Sequence, residues 1–109
     1  MLFFNSGGTI KPVNGQAPGQ GAWCIPKPSS SEEALINNIN YACGIVDCSS
    51  IQPGGSCFEP NTSINHASLV MNLYYQHSGR NPWNCDFAKS GILAVIDPSY
   101  GDCKFQYNT

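Results

Sequence analysis

Two acidic residues of this sequence could carry hydrolytic chemistry. Glu59 and Asp86 have no evident structural role in their own segments, and each lies within two residues of a cysteine, so a disulfide framework could bring them together. Glycoside hydrolysis usually needs two carboxyl groups about 5–9.5 Å apart, one of them held protonated by its surroundings. One hypothesis is therefore a small enzyme that cleaves a glycan through Glu59 and Asp86.

A denser group of aromatic and polar residues lies between positions 72 and 87, in the run NLYYQHSGRNPWNCDF. Sugar rings present C–H groups on one face, which pack against an aromatic ring, while neighbouring amides and carboxylates bind the hydroxyls. We therefore predict that Tyr75 and Trp83 are stacking surfaces for an oligosaccharide, although any single aromatic residue could instead belong to the core. The predicted partners of the sugar hydroxyls are Gln76, Arg80, Glu59 and Asn72.

Neither histidine indicates a nucleophilic or metal site. His66 and His77 are eleven residues apart, and the sequence contains neither a CxxC pair nor a GxSxG motif. Zinc sites and serine nucleophile elbows depend on such spacings. We expect both histidines to be structural, and the favoured interpretation includes no metal ion, no cofactor and no catalytic residue.

The charge content narrows the choice of partner. Charged residues make up 11% of the 109 residues, and five basic and seven acidic side chains leave a net charge of −2, which excludes the basic stripe that nucleic-acid binding requires. The longest apolar run, Ile92–Ile96, is far shorter than the roughly 20 residues that span a membrane. We expect a monomer without membrane insertion, whose surface suits a neutral, hydroxyl-rich partner.

The cysteines indicate an oxidising compartment. A short chain with an even number of cysteines typically forms a disulfide framework in a secreted protein. Six cysteines allow 15 pairings, and spacing favours only the bridge between Cys43 and Cys48. The four residues MLFF are too few for the apolar core of a signal peptide, so we expect the chain to be a segment of a longer secreted protein. The six are Cys24, Cys43, Cys48, Cys57, Cys85 and Cys103.

Two helices are predicted after a glycine- and proline-rich linker or tail over residues 1–22. The first begins at Ser30, which has capping-box spacing to Glu33, and ends at Gly44. The second runs over residues 63–78. Its helical periodicity places Ala67, Val70, Met71, Tyr74 and Ser78 on a buried side, Asn65, Ser68, Asn72 and Gln76 on the opposite side, and Tyr75 at the border. Leu69 and Leu73 widen the apolar arc, so we expect most of this helix to be buried.

A β-hairpin is predicted at the end of the chain. Residues 91–96 read as a strand, residues 97–102 as a turn, and residues 103–107 as the returning strand. Together with the helices, this predicts a small disulfide-rich α+β fold with a small antiparallel sheet and long coil segments.

One short motif admits two interpretations. Asn61-Thr62-Ser63 is a sequon for N-linked glycosylation, and it also lies where the second helix needs an N-cap. The sequence alone leaves open whether Asn61 carries a glycan.

Several motifs together resemble one family. The runs WCIPK, NINYACG, DCSSIQPGGSCFEPNT, HASLVMNLYYQHSGRNPWNCDF and DPSYGDCKF are similar, in order and spacing, to the plant carbohydrate-binding module family 43, or X8, domain. The resemblance covers residues 23–105 and all six cysteines. The loop of residues 44–47 is one residue shorter than the common form of the family.

The resemblance implies both a fold and a function. The family fold has two helices, a small antiparallel sheet and long coils, and its disulfides would pair Cys24 with Cys85, Cys43 with Cys48, and Cys57 with Cys103. Members bind β-1,3-glucans such as callose and laminarin without catalysis. They occur as C-terminal modules of family 17 glycoside hydrolases or as stand-alone cell-wall proteins at plasmodesmata.

The leading hypothesis is therefore a secreted, non-catalytic β-1,3-glucan-binding module of the cell wall over residues 23–107. The alternatives are the small glucan hydrolase and a disulfide-rich signalling or defence protein without a glycan ligand.

Overall fold

The computed structural model describes residues 21–108. Over these residues the chain forms two α-helices, two short antiparallel strands and two 3₁₀ turns joined by long coils, so the predicted α+β fold is confirmed. The elements are β1 (Trp23–Pro26), α1 (Glu32–Cys43), a 3₁₀ turn (Ser49–Ile51), α2 (Ser63–His77), a 3₁₀ turn (Pro82–Cys85) and β2 (Gly91–Ala94).

The folded domain includes at least one residue of the predicted linker. Ala22 is buried, and its carbonyl accepts a hydrogen bond from the Gln76 side chain. The rest of the linker prediction, over residues 1–20, lies outside the described residues.

Helix α1 begins one residue later than the sequence predicts. Ser31 is the N-cap, because its backbone is extended and its Oγ accepts a hydrogen bond from the Ala34 N–H at 3.1 Å. The Ser30 hydroxyl donates instead to the Ser90 carbonyl, which ties the start of the helix to the residues before β2. Glu32 lies in the first turn of the helix, where its negative charge is favourable.

Helix α2 is central to the fold. Thr62 caps it by accepting a hydrogen bond from the Asn65 N–H at 3.2 Å, and its bounds agree with the predicted helix to within one residue. It packs against α1 and β1, and the C-terminal coil also hydrogen-bonds to it. Packing on several sides buries the middle of the helix, as the wide apolar arc predicts, and it also buries Asn72 and Gln76 of the polar side. The buried residues are Ala67, Leu69, Val70, Met71, Asn72, Tyr75 and Gln76.

The predicted hairpin is wrong. Strand β2 pairs antiparallel with β1, from Trp23 opposite Ala94 to Pro26 opposite Gly91. The C-terminal segment forms only an isolated bridge between Tyr100 and Cys103 and then continues as coil. Side chains of α2 bind two backbone groups of this segment, the Gln106 carbonyl and the Asn108 N–H.

The buried side-chain amides of Asn72 and Gln76 in α2 form these hydrogen bonds. The Asn72 amide donates to the Gln106 carbonyl at 2.8 Å, and the Gln76 side-chain oxygen accepts from the Asn108 N–H at 2.9 Å. Asn72 also accepts from the Cys24 N–H at 3.1 Å. These two side chains therefore fasten both β1 and the C-terminal coil to the helix.

Three disulfides fix the coils to this framework, in the pairing that the family resemblance implies. Cys24–Cys85 joins β1 to the second 3₁₀ turn, Cys57–Cys103 joins the coil before α2 to the C-terminal segment, and Cys43–Cys48 closes the loop after α1. Gly91 lets β2 pass close to this turn, because a Cβ there would overlap the Cys85 carbonyl oxygen.

Candidate carbohydrate-binding site

An open groove lies where α1, the C-terminal half of α2 and the loop of residues 82–88 meet. It encloses about 400 Å³, within the range of small-ligand sites, and we call it the aromatic groove. The residues that line it are Asn37, Asn38, Tyr41, Tyr74, Trp83, Asn84, Asp86, Phe87 and Ala88.

Three rings form a mutually supporting cluster along this groove. The ring centroids of Tyr41 and Tyr74 are 5.4 Å apart, those of Tyr74 and Phe87 are 5.6 Å apart, and all three pairs meet edge to face. This geometry is the favoured one for aromatic pairs. Tyr41 is 56% exposed, so the cluster presents apolar ring surface to solvent.

The two phenol groups of the cluster interact with each other. The Tyr41 and Tyr74 hydroxyl oxygens are 3.5 Å apart, and this hydrogen bond raises the pKa of Tyr41 and lowers the pKa of Tyr74. Either hydroxyl can be the donor of this pair. Each phenol oxygen can also accept a hydrogen bond from a ligand hydroxyl.

Trp83 supplies the largest exposed aromatic surface of the groove. Its side chain is 71% exposed, which is unusual for an apolar ring in so small a domain. The ring stands on a well-fixed turn: the Asn81 N–H donates to the Asn84 side chain at 3.1 Å, Pro82 opens the turn, and Cys85 is tied to β1 by its disulfide. The turn therefore holds the ring in place without burying it.

Asp86 brings a carboxylate to the same groove. Its only salt bridge within residues 21–108 is a 3.9 Å contact with the Nζ of Lys89, and both side chains are largely exposed. Such surface pairs contribute little stability, so the carboxylate can exchange that contact for the hydroxyls of a ligand.

Glu59 does not join Asp86. Glu59 is exposed beside the first turn of α2, where its carbonyl accepts from the Tyr100 hydroxyl at 3.0 Å and that hydroxyl accepts from Asn65. It is absent from the residues that line the aromatic groove. The structure thus removes the basis for the hydrolase hypothesis, which needs both carboxylates at one site, and it places Glu59 away from Trp83 as well.

Two of the residues that line the groove, Phe87 and Ala88, belong to a strained backbone segment. Phe87, Ala88 and Lys89 have φ values of 43°, 53° and 73°, a left-handed conformation that non-glycine residues rarely adopt in succession. The segment is stabilised by the Ser90 hydroxyl, which donates to the Phe87 carbonyl at 2.6 Å, and by the Gly91 N–H, which donates to the Asp86 carbonyl. Strain of this kind is typical of functional sites.

Replacing Ala88 with glycine tests this strain. Glycine adopts positive φ without penalty, so we expect Ala88→Gly to raise the free energy of unfolding by about 0.5–1 kcal/mol in denaturant titrations. The matched control is Ala34→Gly in the regular backbone of α1, which should lower it by about 0.5–1 kcal/mol. If both variants lose stability, the left-handed segment is not strained.

Three of the predicted sugar-binding residues are instead internal. Tyr75 and Asn72 are 0% exposed and Gln76 is 3% exposed, so Tyr75 has no face to offer a sugar ring, and the two amides are occupied by the β1 and C-terminal backbones. Burial also raises the pKa of the Tyr75 phenol. The prediction for these residues is wrong because the backbones of β1 and the C-terminal coil pack against the polar side of α2 and bind both amides.

Arg80 also faces away from the aromatic groove. Its guanidinium carbon lies 5.2 Å from the ring centroid of Tyr107, a cation–π contact with the C-terminal coil. Of the six predicted binding residues, only Trp83 lines the aromatic groove.

Eight of the nine groove residues are not among the predicted sugar-binding residues, although Tyr74, Asn84, Asp86 and Phe87 lie within the aromatic and polar run of residues 72–87. Tyr74 was assigned to the buried side of its helix, and Tyr41 lies on the other helix. The asparagines of α1 are an indication of the groove in the sequence. Asparagine has low helix propensity, so several asparagines in one helix suggest another role, such as binding a ligand.

A second, larger groove of about 680 Å³ lies on another part of the surface. None of its lining residues is Phe, Tyr or Trp, so it lacks a stacking surface for sugar rings. It is lined by Ile45, Val46, Asp47, Ser49, Ser50, Leu73, Gln76, His77, Gln106 and Asn108, and we call it the polar groove.

Within residues 21–108 no three histidine, cysteine or acidic side chains are grouped so as to hold a metal ion. All six cysteines form disulfides. None of the helices that the structure describes has the length and apolarity needed to cross a membrane.

The model of the X8 domain family matches residues 22–92, a range that includes β1, both helices, the first two residues of β2 and five of the six cysteines. The chain belongs to the X8 family. The X8 domain is a binding module, found both inside glucanases and as a stand-alone protein, so this X8 chain is not itself an enzyme.

This X8 domain is similar both to a part of longer glucosidases and to a pollen allergen. The chain is 60% identical over 86 residues to a glucan endo-1,3-β-D-glucosidase of Olea europaea, and 54% identical over 87 residues to a glucan endo-1,3-β-glucosidase of Triticum aestivum. These alignments cover 78% and 80% of the chain but 19% of each glucosidase. The major pollen allergen Ole e 10 of Olea europaea is 45% identical, over 80% of the chain and 72% of the allergen.

Proposed function

We propose that this X8 domain binds β-1,3-glucan, such as callose or laminarin, in the aromatic groove. The observation that carries the proposal is the Trp83 ring, 71% exposed beside the Tyr41–Tyr74–Phe87 cluster. Exposed aromatic surface that polar residues surround is typical of a ligand-binding groove. The glucosidase relatives, which by name act on 1,3-β-glucan, indicate which polysaccharide that ligand is.

The proposed mode of binding uses ring faces and hydroxyl partners. A glucose unit packs its C–H face on Trp83, and the next unit contacts the exposed edge of Tyr41. The Asp86 carboxylate and the side-chain amides of Asn37 and Asn84 take the sugar hydroxyls. The low charge of the chain fits an uncharged polymer, since binding then needs no displaced counterions.

The proposal places the chain outside the cell. Three disulfides persist in oxidising compartments, and a β-1,3-glucan ligand belongs to the plant cell wall, including the callose of plasmodesmata. Since the chain spans 19% of the two glucosidases, it acts there either as a targeting module of a longer enzyme or as a stand-alone binding protein, in both cases as a monomer.

A pull-down tests the ligand class. We expect the purified chain to be retained by insoluble β-1,3-glucan and to remain in the supernatant with cellulose and with chitin. Soluble laminarin should release it from the β-1,3-glucan. Equal retention on all three polymers would contradict the specificity, and no retention on any would favour a signalling or defence protein without a glycan ligand.

The contribution of Asp86 can be separated from that of the rings. Replacing it with asparagine keeps the shape and one acceptor oxygen but removes the charge, which weakens hydrogen bonds from sugar hydroxyls. We expect Asp86→Asn to lower laminarin affinity by about threefold to tenfold, since a charge-assisted hydrogen bond contributes roughly 1.5–3 kcal/mol and a neutral one less. Isothermal titration calorimetry measures the effect.

Glu59→Gln is the matched control for that variant, because Glu59 is exposed but lies outside the aromatic groove. Its affinity should equal that of the unmodified chain. If Glu59→Gln impairs binding and Asp86→Asn does not, the glucan occupies the other end of α2.

A further inference from the structure

The sequon at the start of α2 contains an asparagine, Asn61, that the fold leaves free for modification. In Asn61-Thr62-Ser63, helix capping and glycan attachment compete for the same short segment. The structure resolves the competition, because the cap is Thr62, whose Oγ1 accepts from the Asn65 N–H at 3.2 Å and whose backbone is extended. Asn61 takes no part in the cap, and its side chain is exposed.

We propose that Asn61 carries an N-linked glycan when the chain is made in a eukaryotic secretory pathway. Two independent observations support this proposal. Asn61-Thr62-Ser63 is the single Asn-x-Ser/Thr sequon among the 109 residues. The three disulfides require the oxidising compartment where such glycans are added. The proposal does not depend on which ligand fills the aromatic groove.

The transfer step is an ordinary glycosyl substitution. The Asn61 amide nitrogen forms a bond to the anomeric carbon of an oligosaccharide linked to a lipid pyrophosphate. The bond from that carbon to the pyrophosphate oxygen breaks, its electron pair leaves with the lipid pyrophosphate, and the amide proton passes to a base of the transferring enzyme. The donor is a lipid-linked oligosaccharide, and no oxidant or reductant is needed.

The fold explains why a glycan at this position is tolerated. Asn61 precedes Tyr74 by thirteen residues, and most of that distance is helical, so the two positions are about 20 Å apart at 1.5 Å per residue. A glycan on Asn61 thus projects from the N-terminal end of α2, while the aromatic groove lies beside the C-terminal half. The modification leaves the groove open.

The flanking residues provide matched variants. Ser63 supplies the sequon hydroxyl, which in the folded chain donates to the Glu32 carboxylate. Ser63→Ala removes the sequon but keeps the Thr62 cap, whereas Ser63→Thr retains a hydroxyl and hence the sequon. Asn61→Gln removes the acceptor amide alone.

The experiment is intact mass spectrometry of the full chain secreted by yeast, before and after treatment with an amidase that releases N-glycans. We expect a glycan mass that disappears on treatment, with Asn61 converted to aspartate in the tryptic peptide. Ser63→Thr should keep this mass, and Asn61→Gln and Ser63→Ala should lack it. Secreted, disulfide-bonded chain with unmodified Asn61 would overturn the proposal, as would glycan that persists in Asn61→Gln.

Laminarin binding of the two glycoforms tests the placement. Equal affinity, within about a factor of two, is the result expected from a 20 Å separation along α2. A large loss of affinity in the glycosylated form would show that the glycan reaches the binding surface. This result would contradict the separation of Asn61 from the aromatic groove.

Discussion

Trp83→Ala is expected to weaken laminarin binding by more than about tenfold while leaving the fold unchanged. The ring is 71% exposed, so its removal costs the folded state little buried area. Its loss removes the main apolar contact of the aromatic groove, and a central aromatic contact contributes roughly 2 kcal/mol or more to recognition. Calorimetry gives the affinity, and circular dichroism with a denaturant titration gives the stability.

Ile96→Ala is the control for this variant. Ile96 is an apolar side chain that is 78% exposed and lies outside the aromatic groove. It should change neither affinity nor stability. If Trp83→Ala retains the full affinity for laminarin, the stacking role assigned to this ring is wrong, and if it loses stability to the same extent as affinity, the effect is structural.

Loss of the Cys24–Cys85 disulfide is expected to be the most destabilising change. This bridge closes a loop with a sequence separation of 61 residues, against 5 for Cys43–Cys48. In the chain-entropy description, removing the long-range bridge costs ~4 kcal/mol of unfolding free energy and removing the short one ~2 kcal/mol. A domain of about this size has little core to compensate for the loss of a disulfide.

Paired alanine variants measure this difference. Cys24→Ala/Cys85→Ala should unfold at a much lower denaturant concentration than Cys43→Ala/Cys48→Ala, or be unfolded without denaturant. The long-range variant should also bind laminarin less well, because Cys85 anchors the turn that carries Trp83. Equal stability losses in the two variants would contradict the role given to loop length.

The helices were predictable because their signals are local. Apolar periodicity and a capping threonine define α2 within the segment itself, and the predicted bounds differ from the observed ones by a single residue. The cap of α1 was misplaced by one residue because Ser30 and Ser31 are chemically equivalent caps. Only the tertiary contact between Ser30 and Ser90 distinguishes them.

The sheet was not predictable from local pattern. Strand β2 has an apparent partner nearby in sequence, but it pairs with β1, which lies almost 70 residues earlier. The C-terminal segment instead packs on α2, where the Asn72 and Gln76 side chains bind the Gln106 carbonyl and the Asn108 N–H. Those same bonds bury two side chains that the sequence assigned to the sugar.

The proposed site could be located only in part from the sequence. The aromatic and amide content of residues 72–87 predicts a sugar-binding surface, and Trp83 of this run lies in the aromatic groove. Helical periodicity places Tyr75 at the border of the buried side, but the structure buries it and leaves Tyr41 exposed, because the position of α1 against α2 decides which ring is exposed. Such packing between helices distant in sequence is set by the tertiary fold.

A heteronuclear NMR titration with laminarin oligosaccharides tests the central claim most directly. The chain has two tryptophans: the Trp83 ring is exposed, while the Trp23 indole nitrogen is buried without a hydrogen-bond partner. We predict that the Trp83 indole resonance and the amides of Asn37, Asn84 and Ala88 shift with increasing ligand, while the Trp23 indole stays in place. Shifts confined to the polar groove, at Asp47, Ser49 and His77, would contradict the assignment of the glucan to the aromatic groove.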